Sequence, residues 1–224
     1  MAQFTRIEVA NVMKQTGLVP LFYHENPETA IQILKACYEG GARVLEFTAR
    51  GEFAHEVFTE MVKFAKKELP EMIIGVGSVT DGAMASFYLQ CGANFIVTPV
   101  FREDVAQVCN RQKILWLPGC GSLTEIAKAE EMGCEIVKLF PAGIYGHEFV
   151  KNIKGPQPWT SIMPTGGIFP TKESIEPWIK AGVICVGIGS QLIHPDLIDQ
   201  QNFGKLSADV KNVLNIIQNS KENS

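Results

Sequence analysis

The chain has 224 residues, 46% of them hydrophobic and 20% charged, and a formal net charge of −4. That length suits two small domains or one barrel-sized domain, and no shift in composition marks a boundary between two. An acidic balance without a basic cluster excludes the electrostatic footprint of a nucleic-acid binder, and no apolar run is long enough to span a membrane.

The first residues, Met1 to Arg6, hold no apolar signal core, so the cytoplasm is the expected location. The cysteines Cys37, Cys91, Cys109, Cys120, Cys134 and Cys185 show neither a Cys-x-x-Cys pair nor zinc-ligand spacing, and they read as buried free thiols.

Phe4, Ile7, Val9, Val12 and Met13 form a stripe at helical spacing that predicts an opening helix over 4–16, stopped by Gly17. An apolar run over 18–23 predicts the first strand. Asn26 and Pro27 then start a helix with Ile31, Leu34 and Ala36 on its face, ending at Gly40-Gly41. The same pattern recurs. Strands are expected over 43–49, 72–79, 94–100, 114–118, 134–140, 161–164 and 183–187, and helices over 53–69, 81–91, 102–112, 122–132, 145–153, 171–181 and 205–219.

Eight strand-helix units imply right-handed crossovers, a parallel sheet and closure into an α/β (β/α)8 TIM barrel with an extra N-terminal helix. An open doubly wound sheet is the alternative, but Pro20-Leu21-Phe22-Tyr23-His24 stands where its glycine fingerprint would follow the first strand. The expected organisation is a single domain over 1–224, with the extra helix at about 4–16, the barrel at about 18–219 and a frayed polar tail at 220–224.

The segment Cys134-Glu135-Ile136-Val137-Lys138-Leu139-Phe140-Pro141-Ala142 puts one lysine at the centre of an apolar run. If the sheet is covered on both faces, that ammonium is buried, and a buried charge needs a partner or a lowered pKa. Glu46, Thr48 and Arg50 share one face of the second strand, and in an eight-stranded barrel strands two and six oppose each other, so Glu46 and Lys138 can converge. Two readings stand at this point. One is a structural ion pair; the other is a nucleophilic amine beside an acid/base, with burial favouring the neutral amine and the carboxylate favouring the ammonium.

Gly75-Val76-Gly77-Ser78-Val79 puts small residues at a strand end where a substrate could approach the backbone. Pro164-Thr165-Gly166-Gly167-Ile168 and Gly187-Ile188-Gly189-Ser190 fall on the adjacent seventh and eighth loops, where barrels bind anions through backbone N–H groups. Arg50 is the candidate carboxylate clamp. His24, His55, His147 and His194 are too scattered for a metal cluster; His24 and His147 read as solvated rim residues.

These motifs carry a resemblance. Between about Pro20 and Ser190 the chain resembles the class I aldolases that cleave 2-keto-3-deoxy-6-phosphogluconate (KDPG), a family that includes 4-hydroxy-2-oxoglutarate (KHG) aldolases and phosphogalactonate variants. Its most specific pieces are the residues of 43–50, 75–79, 137–142 and 164–168. The resemblance implies a Schiff-base lysine at Lys138, a general acid/base at Glu46, and Arg50 and Ser78 on the pyruvate carboxylate. It also implies a pocket lined by Pro99 and Phe140 and a phosphate cradle of Gly166, Gly167, Gly189 and Ser190. A 2-keto acid substrate, a homotrimer and the use of no metal or organic cofactor follow from it too. The chain departs from the family pattern in having Ser78 for a common threonine, no glycine after Thr98-Pro99, and Gly119-Cys120-Gly121-Ser122 at the fifth turn. The competing expectations are an isomerase or epimerase on the same barrel, a non-catalytic binder of phosphorylated metabolites, and a metal-dependent aldolase.

Overall fold

Local signals start most helices where the sequence places them. The computed structural model describes residues 2–222. Helix α1 (Arg6–Thr16) opens on a reciprocal capping box, in which Thr5 accepts from the Glu8 N–H and the Glu8 carboxylate accepts from the Thr5 N–H, and it ends at left-handed Gly17. Asn26, Asp81, Ser122 and Thr171 cap α2 (Pro27–Glu39), α4 (Gly82–Gln90), α6 (Leu123–Glu131) and α8 (Lys172–Lys180) in the same side-chain-to-N–H manner. The remaining helices are α3 (Ala54–Glu68), α5 (Glu103–Gln112), α7 (Ala142–Lys154, with non-helical Gly146 inside it), α9 (Pro195–Asp199) and α10 (Phe203–Glu222).

The strands are β1 (Leu18–Phe22), β2 (Val44–Thr48), β3 (Ile73–Gly77), β4 (Phe95–Val97), β5 (Leu115–Leu117), β6 (Gly119–Cys120), β7 (Val137–Leu139), β8 (Ile162–Pro164) and β9 (Val186–Ile188). All pairings are parallel. They form a six-stranded sheet ordered β5-β4-β3-β2-β1-β9 and a three-stranded sheet ordered β6-β7-β8. One residue, Pro118, separates β5 from β6; it has no N–H to give a ladder, but its carbonyl accepts from Lys138 N–H at 2.8 Å. Between β8 and β9 the Ile184 N–H donates to the Ile162 carbonyl at 3.0 Å, and Thr165 bridges Gly187.

Alternation along the strands divides the interior in two. Leu45 and Phe47 of β2 pack among the helices in a large outer cluster, whereas Val44 joins Val19, Ile73, Phe95, Val97, Leu115, Leu117, Ile136, Met163 and Cys185 in a second cluster of strand residues. Helix α1 adds fully buried Val9 and Met13 to that second cluster. Each such side chain contributes about 1.5–3 kcal/mol by leaving water.

Several boundaries differ from the sequence reading. The strand expected over 134–140 shrinks to Val137–Leu139, because Cys134 Sγ donates to the Ile136 and Trp116 carbonyls and Glu135 turns out to pair with Arg6 at 2.7 Å. The fifth run continues past its expected end at 118 into β6, and α9 was not expected at all, although His194-Pro195-Asp196 carries a capping residue, a first-turn proline and a first-turn acid. Fraying was expected from 220, yet α10 stays helical to Glu222: Ser220 is buried and Lys221 Nζ donates to the Lys14 carbonyl at 2.7 Å. Residues 223 and 224 of that tail, and Met1, lie outside the described residues. Among the described residues no helix is long and apolar enough to cross a membrane.

Candidate active site

Glu46 sits mid-strand in β2 and Lys138 mid-strand in β7, both on the face of the second cluster, and their side chains meet. Lys138 Nζ lies 3.6 Å from Glu46 Oε1, with Glu46 fully buried and Lys138 6% exposed. That separation brings the charges together without a hydrogen bond, and neither Glu46 oxygen has a hydrogen-bond partner. A buried carboxylate without donors is costly, and its open acceptor sites suit a hydroxyl or water that arrives with a ligand.

The glycines of β3 serve this arrangement differently from the sequence expectation. A Cβ on Gly77 would overlap Glu46 Oε1 and one on Gly75 would enter the Phe95 ring, so neighbouring side chains, not a substrate, fill the space these glycines leave. The next residue, Ser78, is left-handed at φ 62°, and its Oγ accepts from Arg50 Nε–H at 3.3 Å. Arg50 itself is exposed, at the carboxyl end of β2.

A cavity of about 520 Å³ opens above these strand ends. Lys138, Arg50, Ser78, Pro99, Phe140, Gly166, Gly167, Gly189 and Ser190 all line it; Glu46, the remaining sequence candidate, lies beneath, reaching it through Lys138. The Phe140 ring stands 5.3 Å from Lys138 Nζ. Gly166 and Gly167 take φ values of 90° and 80°, which leave their loop open to close approach, and the first turn of α7 fixes it through Gly143 N–H to the Gly166 carbonyl at 2.8 Å. Within the described residues, the N–H groups of Gly166, Gly167, Ile168, Gly189, Ser190 and Gln191 donate to no acceptor. Two neighbouring loops of unpaired amides can hold an anion.

The sequence reading gave no site role to Thr165, Tyr23, Gln191 or Asp199, which also line the cavity. Thr165 had a visible signal as the first polar residue after an apolar strand; it is 3% exposed and its Oγ1 is unpartnered. Asp199 comes with the unexpected α9. His24, read as a solvated rim residue, lines the cavity, whereas His147 stays outside it, 3.5 Å from Glu148. His55 stacks edge-on against Phe87, and His194 caps α9. Among the described residues no three His, Cys, Asp or Glu side chains gather as a ligand set. The six cysteines are free, and burial pushes the Cys37, Cys109, Cys120 and Cys185 thiols up to about 12, so these are unreactive thiols at neutral pH.

Comparison with known proteins bears on the same residues. A family model described as KDPG and KHG aldolase matches residues 9–208. A 2-dehydro-3-deoxy-phosphogluconate aldolase of Pseudoalteromonas atlantica is 32% identical over 203 residues, covering 90% of this chain and 92% of its own. KDPG aldolase from Legionella pneumophila, solved with pyruvate captured at low pH as a covalent carbinolamine intermediate, superposes with a TM-score of 0.82 at 26% identity, over 91% of this chain and 97% of that one. The 2-keto-3-deoxy-6-phosphogluconate aldolase of Zymomonas mobilis ZM4, solved with 3-phosphoglycerate, gives 0.81 at 27% identity over 93% and 95%. A family match that spans nearly the whole chain, joined to a buried lysine-carboxylate pair under an amide-lined cavity, settles the assignment: the chain belongs to the KDPG and KHG aldolase family.

Proposed function

We propose that this aldolase, a carbon-carbon lyase, cleaves 2-keto-3-deoxy-6-phosphogluconate to pyruvate and glyceraldehyde 3-phosphate through a Schiff base on Lys138. The observation that carries the reading is a buried amine lining the cavity 3.6 Å from a carboxylate that has no hydrogen-bond partner of its own. The Lys138 amine, once it has given up its proton, adds to the C2 carbonyl to give a carbinolamine, which loses water to a protonated imine. Glu46, directly or through a water, takes the proton from the C4 hydroxyl. The C3–C4 electron pair then flows into the imine, the aldehyde leaves, and the resulting enamine is protonated at C3 and hydrolysed to pyruvate.

Substrate placement follows from the two ends of the cavity. Arg50 and Ser78 hold the C1 carboxylate, with Arg50 offering guanidinium donors from the rim. The unpaired amides of the two glycine loops, six in all by the residues named above, suit the several acceptor oxygens of a phosphate at the far end. Pro99 and Phe140 form the apolar wall between them. Cleavage of 4-hydroxy-2-oxoglutarate to pyruvate and glyoxylate is the second reading, supported by the family description and by the ability of the same amides to accept a carboxylate.

The frame around this chemistry is read as one domain in which the strands close into an eight-stranded barrel, β5 and β6 being a single strand interrupted at Pro118, with α1 packed across its amino end. The Thr165–Gly187 bridge and the one-residue gap at Pro118 support closure, and the inner positions of Val9 and Met13 support the placement of α1. Exposed Ile144, Trp159 and Phe169 support burial of apolar surface between copies in a cytoplasmic homotrimer, for which light scattering would return three times the chain mass. The reading uses no metal or organic cofactor. Incubation with pyruvate and borohydride, followed by peptide mass spectrometry, tests the central claim. A reduced adduct on Lys138 is expected, and folded protein without it would overturn the Schiff base.

A further inference from the structure

The aldehyde half of the substrate carries a hydroxyl at C5 that neither Glu46 nor the amide loops account for, and the order of the strands shows which wall can meet it. The sheet runs β9-β1-β2, so the loop after β1 lies between the Gly189-Ser190 side of the cradle and Arg50. Across the cavity, the wall of Pro99 and Phe140 offers no free donor: proline lacks an N–H, the Phe140 N–H is given to the Cys120 carbonyl, and Thr98 Oγ1 donates to the Val100 carbonyl at 2.7 Å. Thr48 and Thr165 lie deeper, 2% and 3% exposed. Gln191 belongs to the cradle loop. Along the β1 loop, the Tyr23 hydroxyl packs onto Gly51, where a Cβ would overlap it. Besides Tyr23 and Asp199, this side of the cavity carries His24, the one of the three whose side chain is oriented by hydrogen bonds within its own loop.

Its ring is held ready. The Asn26 N–H donates to His24 Nδ1 at 3.0 Å, while the Asn26 side chain caps α2 by accepting from Thr29 N–H at 2.9 Å. The Asn26 carbonyl lies farther from the same Nδ1, at 3.3 Å, and a proton placed there to reach it would face the Asn26 N–H, donor against donor. The shorter contact therefore assigns Nδ1 as acceptor and leaves the proton on Nε2, which has no partner among the described residues. We propose that His24 is a specificity-determining residue that donates from Nε2 to the C5 hydroxyl, the hydroxyl next to the aldehyde carbon of the leaving half. The proposal rests on the aldolase reading above and adds to it the group that separates hydroxylated phospho-aldehydes from their deoxy analogues.

The test runs the reaction in the condensation direction with pyruvate and either glyceraldehyde 3-phosphate or 3-oxopropyl phosphate, which lacks that hydroxyl, and follows deuterium exchange at pyruvate C3 in parallel. Wild-type enzyme is expected to prefer the hydroxylated aldehyde. His24→Leu should lower the ratio of the two kcat/KM values about 10-fold, the worth of one hydrogen bond to a substrate hydroxyl, and His24→Gln, which keeps a donor, should restore part of it. Exchange of pyruvate protons, which involves only the other half of the substrate, should stay at the wild-type rate in both variants. An unchanged ratio, an equal loss with both aldehydes, loss of exchange in the variants, or no wild-type preference overturns the role of His24. Wild-type enzyme that exchanges no pyruvate proton overturns the Schiff-base reading itself, and the His24 role with it.

Discussion

Replacing Lys138 by methionine separates the chemical reading of the Lys138–Glu46 pair from the purely structural one and attaches an energy to each. At 3.6 Å the two charges attract by about 5 kcal/mol with an effective dielectric constant of 20. Burial costs both ions several kcal/mol, so the pair as a unit is close to neutral for stability. Lys138→Met removes the attraction and leaves Glu46 fully buried with no donor on either oxygen, which should destabilise the fold by about 3–5 kcal/mol. In a chain of this size that corresponds to a fall in Tm of roughly 6–20 °C. Adding Glu46→Leu removes the stranded carboxylate, and the double variant should return to within about 1 kcal/mol of the wild type or exceed it. Urea titrations of the wild type, Lys138→Met, Glu46→Leu alone and the double variant give the coupling energy, and an assay of KDPG cleavage run beside them should find all three variants inactive. A single variant that melts with the wild type, or a double variant no more stable than Lys138→Met, would refute the electrostatic account of the pair; a double variant that still cleaves would refute the chemical one.

Lys138→Arg keeps the positive charge but offers no nucleophile, so turnover and borohydride trapping should vanish while the melting temperature moves by only a few degrees. Gly77→Ala places a Cβ on Glu46 Oε1; displacing that carboxylate should lower kcat by roughly 10- to 100-fold, measured under saturating substrate, with the adduct on Lys138 still forming. Arg50→Leu should raise KM for the 2-keto acid more than it lowers kcat, since the clamp binds substrate and transition state alike. Remote from the cavity, the Arg102 guanidinium and the Gly82 N–H at the start of α4 hold the Asp104 carboxyl well below the usual carboxylate range. A lowered folded-state pKa gives stability that is present above the unfolded pKa and is lost as pH falls through the folded one. Asp104 is half-exposed, so Asp104→Asn should cost no more than about 1 kcal/mol at neutral pH, and the difference from wild type in thermal melts should shrink as the pH is lowered into the acid range.

What could be read in advance depended on whether a residue's partner was local or distant. Strand-helix alternation and the caps at Asn26, Asp81, Ser122 and Thr171 are local, and the elements they announce are in place. Lys138 stood out because one charge interrupted an apolar run, and the parity of Glu46 was enough to bring the two together. The glycines of β3 were misread because periodicity reports that a side chain is missing but not what occupies the gap; Phe95 and Glu46 come from other segments of that sheet. The shortening of β7 depended on Arg6, 129 residues before Glu135, which no window around 134–140 contains. For α9, the signal at His194-Pro195 was local and was simply overlooked.

The distribution of residues along each strand explains why one sequence supplies both stability and reactivity without conflict. On the inward parity, the first positions are apolar: Val19, Val44, Ile73, Phe95, Leu115, Ile136, Met163 and Cys185 pack with Val9 and Met13 of α1. Two residues further on, the same faces carry Leu21, Glu46, Gly75, Val97, Leu117, Lys138, Thr165 and Gly187, a layer in which charge, hydroxyl and glycine enter. The lower layer buries apolar surface and fixes strand positions, so the upper one can hold a carboxylate without donors and an ammonium without a hydrogen bond. Such groups destabilise a free-standing site. Here the strands are anchored from below, and in the mechanism proposed above the substrate's C4 hydroxyl is the contact that Glu46 lacks.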